Sequence, residues 1–368
     1  MEYLIFNKSP APTIGVELEI QILDAETLEL SSLAPKILGM VRPQLRERIK
    51  PEFIQSMVEI NTEICSSVAE VEKDLRSTFI YLSDITEGFG ATLYTTSLHP
   101  FSRVADQRVS DHPRYRKIMN ELQLIGRRFI TQGLHVHIGV DDEEKVIKVY
   151  NNLRIYLPIL LALTTSSPFF ETEDTGLMSY RAKLFEDLPL AGMPDSLHDW
   201  EDFDTLISLL TKSNIIESVK DIWWDVRPHP DFGTIEVRIC DLPYSMRDIL
   251  AVTALIQALV LAIAEQFENP EPHMQILRSN RWQAARYGLD GFYVDPFFAR
   301  KYTMKEAALS LYRHVRPIAE ALKSSSYLDG IPEIIDRLTG AHLQKKIYRS
   351  NGNSFPEMIK TVQGHFFQ

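Results

Sequence analysis

Four stretches of this 368-residue chain alternate with a period of two, and in each the non-apolar positions carry metal-ligand or cationic side chains. In Thr13–Leu23, Ile14, Val16, Leu18, Ile20 and Ile22 share one face, and Glu17, Glu19 and Gln21 take the other. Phe53–Thr62 sets Ile54, Ser56, Val58 and Ile60 against Gln55, Met57, Glu59 and Asn61. Gly133–Val140 sets Leu134, Val136, Ile138 and Val140 against His135 and His137. Thr234–Cys240 sets Ile235, Val237 and Ile239 against Glu236 and Arg238. Residues two apart on a strand lie ~6.5 Å apart on one side. Neighbouring strands of this kind therefore gather Glu17, Glu19, Glu59, His135, His137, Glu236 and Arg238 on one face of a sheet. Such a set suits Mg²⁺ or Mn²⁺, and an arginine among carboxylates suits a phosphate or acyl-phosphate oxygen. For any one strand, a solvated face explains the alternation as well; four strands doing the same thing point to a site.

The rest of the chain bounds that reading. With 39 Lys+Arg against 50 Asp+Glu the net charge is −11, which argues against nucleic acid or an anionic membrane as partner. Ten acids against Arg181 and Lys183 put −8 of that charge in 171–204, which reads as a long excursion from the core. An acidic chain that binds phosphate needs cations to do so. Two cysteines, Cys65 and Cys240, make no disulfide framework and fit a reducing cytoplasm, and Met1–Pro12 lacks the pattern of a signal peptide. The most apolar run, Leu250–Ala264, reads as a buried helix. Helices are expected at Val68–Glu87, Asp142–Thr164, Arg247–Glu268, Thr303–Ser324 and Pro332–Thr339. No phosphate-binding glycine loop, dinucleotide fingerprint, nucleophile elbow or helical HExxH is present. Cys240 reads as a small strand-end residue.

The segments GVELE (15–19), MVEINTEI (57–64), LHVHIGV (134–140), SSPFFETEDTGLMSYR (166–181), WDVRPHPDFGTIEVRICD (224–241) and NRWQAARYGLDG (280–291) together resemble the carboxylate–amine ligase family related to type 2 glutamate–cysteine ligases. The resemblance implies an α+β, glutamine synthetase-like catalytic fold: a curved, mostly antiparallel sheet flanked by helices. It implies one catalytic domain over 1–368, with the acidic excursion at 171–204 and a helical part at 243–368. By the family pattern Glu17, Glu19, Glu59, His135 and Glu236 are metal ligands. Glu236 and Arg238 are catalytic, with Arg238 facing the transferred phosphoryl group. His137, Arg227, Arg281 and Arg286 bind the nucleotide, and Arg181 and His99 bind substrate. The turn Ser97–Phe101 holding His99 matches, but relatives are glycine-rich before it where this chain reads Tyr94-Thr95-Thr96-Ser97.

The implied reaction joins a small-molecule carboxylate to an amine, with ATP and Mg²⁺ (or Mn²⁺), through an acyl phosphate. Glutamate and cysteine are the default substrates, and a homodimer is implied by resemblance alone. Two other readings stay open: a metal-dependent hydrolase built on the His and carboxylate cluster, and a non-catalytic nucleotide-binding paralogue.

Overall fold

The computed structural model describes residues 4–265 and 270–368. Its centre is β1 (Ile14–Asp24), an eleven-residue strand whose apolar positions are all buried. Around it lie β2 (Ile49–Pro51), β3 (Met57–Asn61), β4 (Ala91–Tyr94), β5 (Leu134–Gly139), β6 (Val226–His229) and β7 (Thr234–Val237). The seven form one sheet in the order β6-β7-β5-β1-β3-β2, with β4 pairing the far half of β1 beside β5. Every pairing in it is antiparallel.

Alternation fixes what each face does. Val16, Leu18, Ile20, Val58, Ile60, Leu134, Val136, Ile138, Ile235 and Val237 point to one side and join the main core. Each such side chain, fully buried, contributes ~1.5–3 kcal/mol, so a one-residue slip of any strand would forfeit several at once. The helices α1 (Val68–Glu87), α3 (Glu143–Thr164) and α5 (Met246–Glu265) cover that side, α1 against β1 and β4, α3 against β6 and β7, α5 against β5. Between them in the chain, Pro113–Leu122 is α2 and Trp200–Lys212 is α4. Helix α1 starts where the Ser67 side chain accepts from the Glu70 amide and buries Val68, Val71, Leu75, Phe79 and Leu82 at helical spacing. Helices α3 and α5 are long and apolar enough to cross a membrane by length and composition, and both are packed inside the fold.

The structure departs from the sequence expectations in identifiable ways. The segment 53–56 is not strand: Pro51 ends β2, and Phe53–Ser56 form the connection to β3, with Ile54 and Ser56 buried in the turn. Strand β7 stops at Val237 because the Asp225 carbonyl accepts from both the Arg238 and Ile239 amides, a bulge of two residues against one. The acidic stretch is only partly an excursion. It holds a short helix at Arg181–Glu186 and the start of another at Trp200, and Ala182, Leu197, Trp200 and Phe203 join the main core. Apolar residues between its acids drive that packing. The helix expected at 332–339 spans Gly330–Arg337, and the last residues of the one expected to end at 268 lie outside the described residues. Helices at Met274–Tyr287, Gly340–Ser350 and Phe355–Gln363 fall within the helical part expected at 243–368, whereas the helix at Pro113–Leu122 is not among those expected.

Candidate active site

The polar face of the sheet is assembled by register. Glu17 pairs with His135 across β1 and β5, Glu19 with Glu59 across β1 and β3, Glu236 with His137 across β7 and β5, and Arg227 with Glu236 across β6 and β7. These residues line a cavity of about 310 Å³ together with Arg238, Lys50 and Glu52.

Two carboxylate clusters divide the face. In the first, Glu17, His135 and Glu236 bring donor atoms within 4.8 Å of one another. His135 Nδ1 lies 3.2 Å from Glu17, and His137 Nε2 lies 3.3 Å from Glu17 and 3.8 Å from Glu236. Arg227 grips one Glu236 oxygen through Nε at 3.0 Å and Nη2 at 2.7 Å, while Arg238 Nη1 donates to the other. Burial pushes the Glu236 carboxyl up, but Arg227, Arg238 and His137 hold it well below the usual carboxylate range. Burial acts likewise on Glu17, and hydrogen bonds from His135 and His137 bring it well below that range too. Burial and then Arg238 push the His135 ring down to about 4, so it is neutral near pH 7.

The second cluster is Glu19, Glu52 and Glu59, again within 4.8 Å. Its protein partners are few: the Gly133 amide donates to Glu19 at 2.5 Å, the Phe53 amide to Glu52 at 2.9 Å, and Asn61 to Glu59 at 2.6 Å. Burial and two carboxylate neighbours raise Glu52 well above its ordinary value. Burial raises Glu19 to about 7, opposed by Arg181, and raises Glu59, with Glu17 adding to it. Three clustered carboxylates whose charged forms are disfavoured by burial and by one another fit a divalent cation. In the first cluster, His135 Nε2 and Arg238 Nε are buried with no hydrogen-bond partner. A neutral imidazole whose Nδ1 is turned to a carboxylate and whose Nε2 is free has the arrangement of a metal-binding histidine.

The other expected residues separate from the cavity to different degrees. Arg227 lines it, but its remaining donors go to the Val219 and Ile222 carbonyls at 2.9 and 2.8 Å, so the guanidinium is spent on Glu236 and the loop at 219–222. Arg181 is buried beside the face, donating to the Ile239 and Arg238 carbonyls, each at 3.2 Å, and stacked over Phe185. Gly133 is required there, since a Cβ would stand 2.3 Å from the Arg181 guanidinium. Arg281 holds Asp225 through Nε at 2.6 Å and also pairs with Glu186, and Arg286 donates to the Gly176 carbonyl; neither lines the cavity. His99 is fully buried away from it: Nε2 bonds the Leu28 carbonyl at 2.8 Å, and Nδ1 accepts from the Ser102 amide at 2.9 Å. With both ring nitrogens used by backbone, the substrate contact expected of His99 has no atom to make it. Burial pushes the Cys240 thiol up to about 12, which keeps it from acting as a nucleophile.

Sequence reasoning missed Glu52, Lys50 and the aromatic wall. Glu52 sits in a connection with no periodicity to expose it. Lys50 faces Glu59 from β2, a three-residue strand too short to show a pattern. A second cavity, of about 500 Å³, opens along Ser9–Pro10, Thr13–Glu17 and Asn61–Ile64, and shares Glu17, Lys50, His137 and Phe232 with the first. At that shared wall Phe232, half exposed, stacks on His229 at 4.1 Å. Trp223 lines the first cavity, and Trp224 packs against Tyr150.

The antiparallel sheet with this acidic, arginine-bearing face is that of an ATP-dependent carbon–nitrogen ligase. The chain is a member of glutamate–cysteine ligase family 2, which it matches over residues 13–363. A protein of Gloeobacter violaceus, provisionally named glutamate–cysteine ligase 2, is 40% identical over 93% of this chain and 94% of its own length. Another with that provisional name, from Thermobifida fusca, is 36% identical over 94% of this chain and 89% of its own. Among solved structures, the glutamate–cysteine ligase of Francisella tularensis, in complex with AMP, superposes with a TM-score of 0.71 at 15% identity, covering 98% of this chain and 89% of the other.

Proposed function

We propose that the protein joins a carboxylate to an amine through an acyl phosphate, with glutamate as the acid. The observation that carries this is the registered face itself: two carboxylate clusters and Arg238 on one cavity wall. Divalent ions held by Glu17, His135 and Glu236 and by Glu19, Glu52 and Glu59 would neutralise phosphate oxygens. The chain's own residues do the rest. Arg238, whose Nε is free, offers donors to the γ-phosphoryl group. Arg227 fixes Glu236, and the hydrogen bond from Nδ1 orients His135. The nucleotide occupies the second cavity, with Phe232 as a stacking surface and Lys8 and Lys50 on its wall; the acid and amine occupy the first.

The acid's carboxylate oxygen attacks the γ-phosphorus, and the bond to the β-phosphate oxygen breaks, giving acyl phosphate and ADP. The amine nitrogen then attacks the acyl carbon, the carbon–oxygen bond breaks and phosphate leaves; the nitrogen's surplus protons pass to phosphate and water. Little covalent work falls to the protein, so positioning and charge carry the rate. Incubation with ATP, Mg²⁺, glutamate and a panel of amines tests this. Phosphate release that requires both acid and amine is expected. Release independent of the amine would instead indicate a hydrolase.

A further inference from the structure

The first cavity has two unlike ends. One is the carboxylate face. The other is walled by Ile118 and Leu122 of α2, by Phe129, by Phe185 in the short helix at 181–186 and by Leu188 after it. Leu122, Phe185 and Leu188 form a hydrophobic cluster apart from the main core, with Ile118 and Phe129 packed on it and the Phe129 and Phe185 rings edge to face at 4.6 Å. The cluster therefore borders the cavity rather than supporting the sheet. The cations on these elements are otherwise engaged or wet: Arg114 bonds Asp221 at 3.1 Å and the Lys220 carbonyl at 3.0 Å, and Lys220 is exposed.

We propose that this apolar end receives the side group of the acceptor, and that the acceptor is an apolar primary amine with a branched-aliphatic or aromatic group. The inference rests on the ligase reading above and deepens it. The acid must lay its carboxylate beside Arg238, and the nucleotide has its own cavity, so the wall remote from the carboxylates falls to the amine. The five apolar side chains there offer no hydrogen-bonding atom to a hydroxyl, thiol or charged group, whereas each buried methylene favours occupancy roughly fourfold.

The test is calorimetric titration of the protein holding Mg²⁺ and a non-hydrolysable ATP analogue, with phenethylamine, isopentylamine, ethanolamine and cysteine in turn. Phenethylamine and isopentylamine should bind about tenfold or more tighter than the two polar amines. Ile118→Asp, at a half-buried position on α2, should remove that preference, and Leu188→Asn should do the same if the first variant does not fold. Ile118→Val should retain the preference. Equal or tighter binding of cysteine or ethanolamine overturns the proposal. So does an Ile118→Asp variant that loses the ATP analogue as much as the amine, since the wall would then hold the base. Turnover separates the two readings. If phenethylamine binds with the expected preference yet no amine supports phosphate release, the ligase reading fails and the apolar-ligand assignment stands.

Discussion

Glu17, His135 and Glu236 on one part of the polar face, and Glu19, Glu52 and Glu59 on the other, are similar clusters with opposite solutions. The first cluster is held ionised from within: Arg227 and Arg238 flank Glu236, and hydrogen bonds from two histidines favour the charged form of Glu17. The second has two amide hydrogens and one asparagine and, among the described residues, no arginine on any of its oxygens, so burial and mutual repulsion push its acids toward the protonated form. The lesson is that carboxylates around one sheet face divide into a half whose neighbours favour the charged form and a half whose neighbours oppose it.

The largest test of that division is stability. Glu236→Gln leaves Arg227 buried without its counter-ion and should cost ~3–5 kcal/mol. Glu52→Gln relieves repulsion and should stabilise the metal-free protein by on the order of 1 kcal/mol while abolishing any gain from Mg²⁺. Denaturant unfolding with and without EDTA reads both; the same sign for both variants would end the distinction. Next is catalysis. Arg238→Ala should lower kcat by ~10²–10³, as loss of a preorganised donor does, with little change in Mg²⁺ dependence. Steady-state phosphate release at several Mg²⁺ concentrations checks it. A smaller effect is expected at Asn61, which touches the second cluster only through Glu59: Asn61→Ala should weaken metal binding ~10–100-fold, measured by Mn²⁺ titration, with folding nearly unchanged.

A pH-dependent effect is expected at His99, which burial holds neutral as it does His135 on the face. Burial pushes His99 down to about 3, against an unfolded value near 6.5. Between those values the unfolded chain binds a proton that the folded chain refuses. Its contribution is therefore full above about pH 6.5 and is lost as the pH falls, by up to ~1.4 kcal/mol per unit. His99→Asn should flatten that part of the stability profile; an unchanged slope would mean that the ring is not held neutral.

Much of this architecture was legible because period-two alternation reports a face directly. It placed Glu17, Glu19, Glu59, His135, His137, Glu236 and Arg238 together, and the register pairs them across β7, β5, β1 and β3. What alternation cannot report is how a long side chain spends its donors. Arg181, Arg281 and Arg286 stand in the family's motifs, yet their guanidinium groups hold carbonyls and carboxylates behind or beside the face. Nor can it reveal Glu52, delivered by a connection, or the apolar wall, contributed by 118–129 and 185–188, which meet only in three dimensions.

The two cavities share Glu17, Lys50, His137 and Phe232 and otherwise have separate walls. Under the assignment proposed above, nucleotide and acid arrive through different doors, and neither must wait for the other to pass. Initial-rate plots against the two substrates should then intersect rather than run parallel. Spent nucleotide can depart while the acyl group is still awaiting its nitrogen.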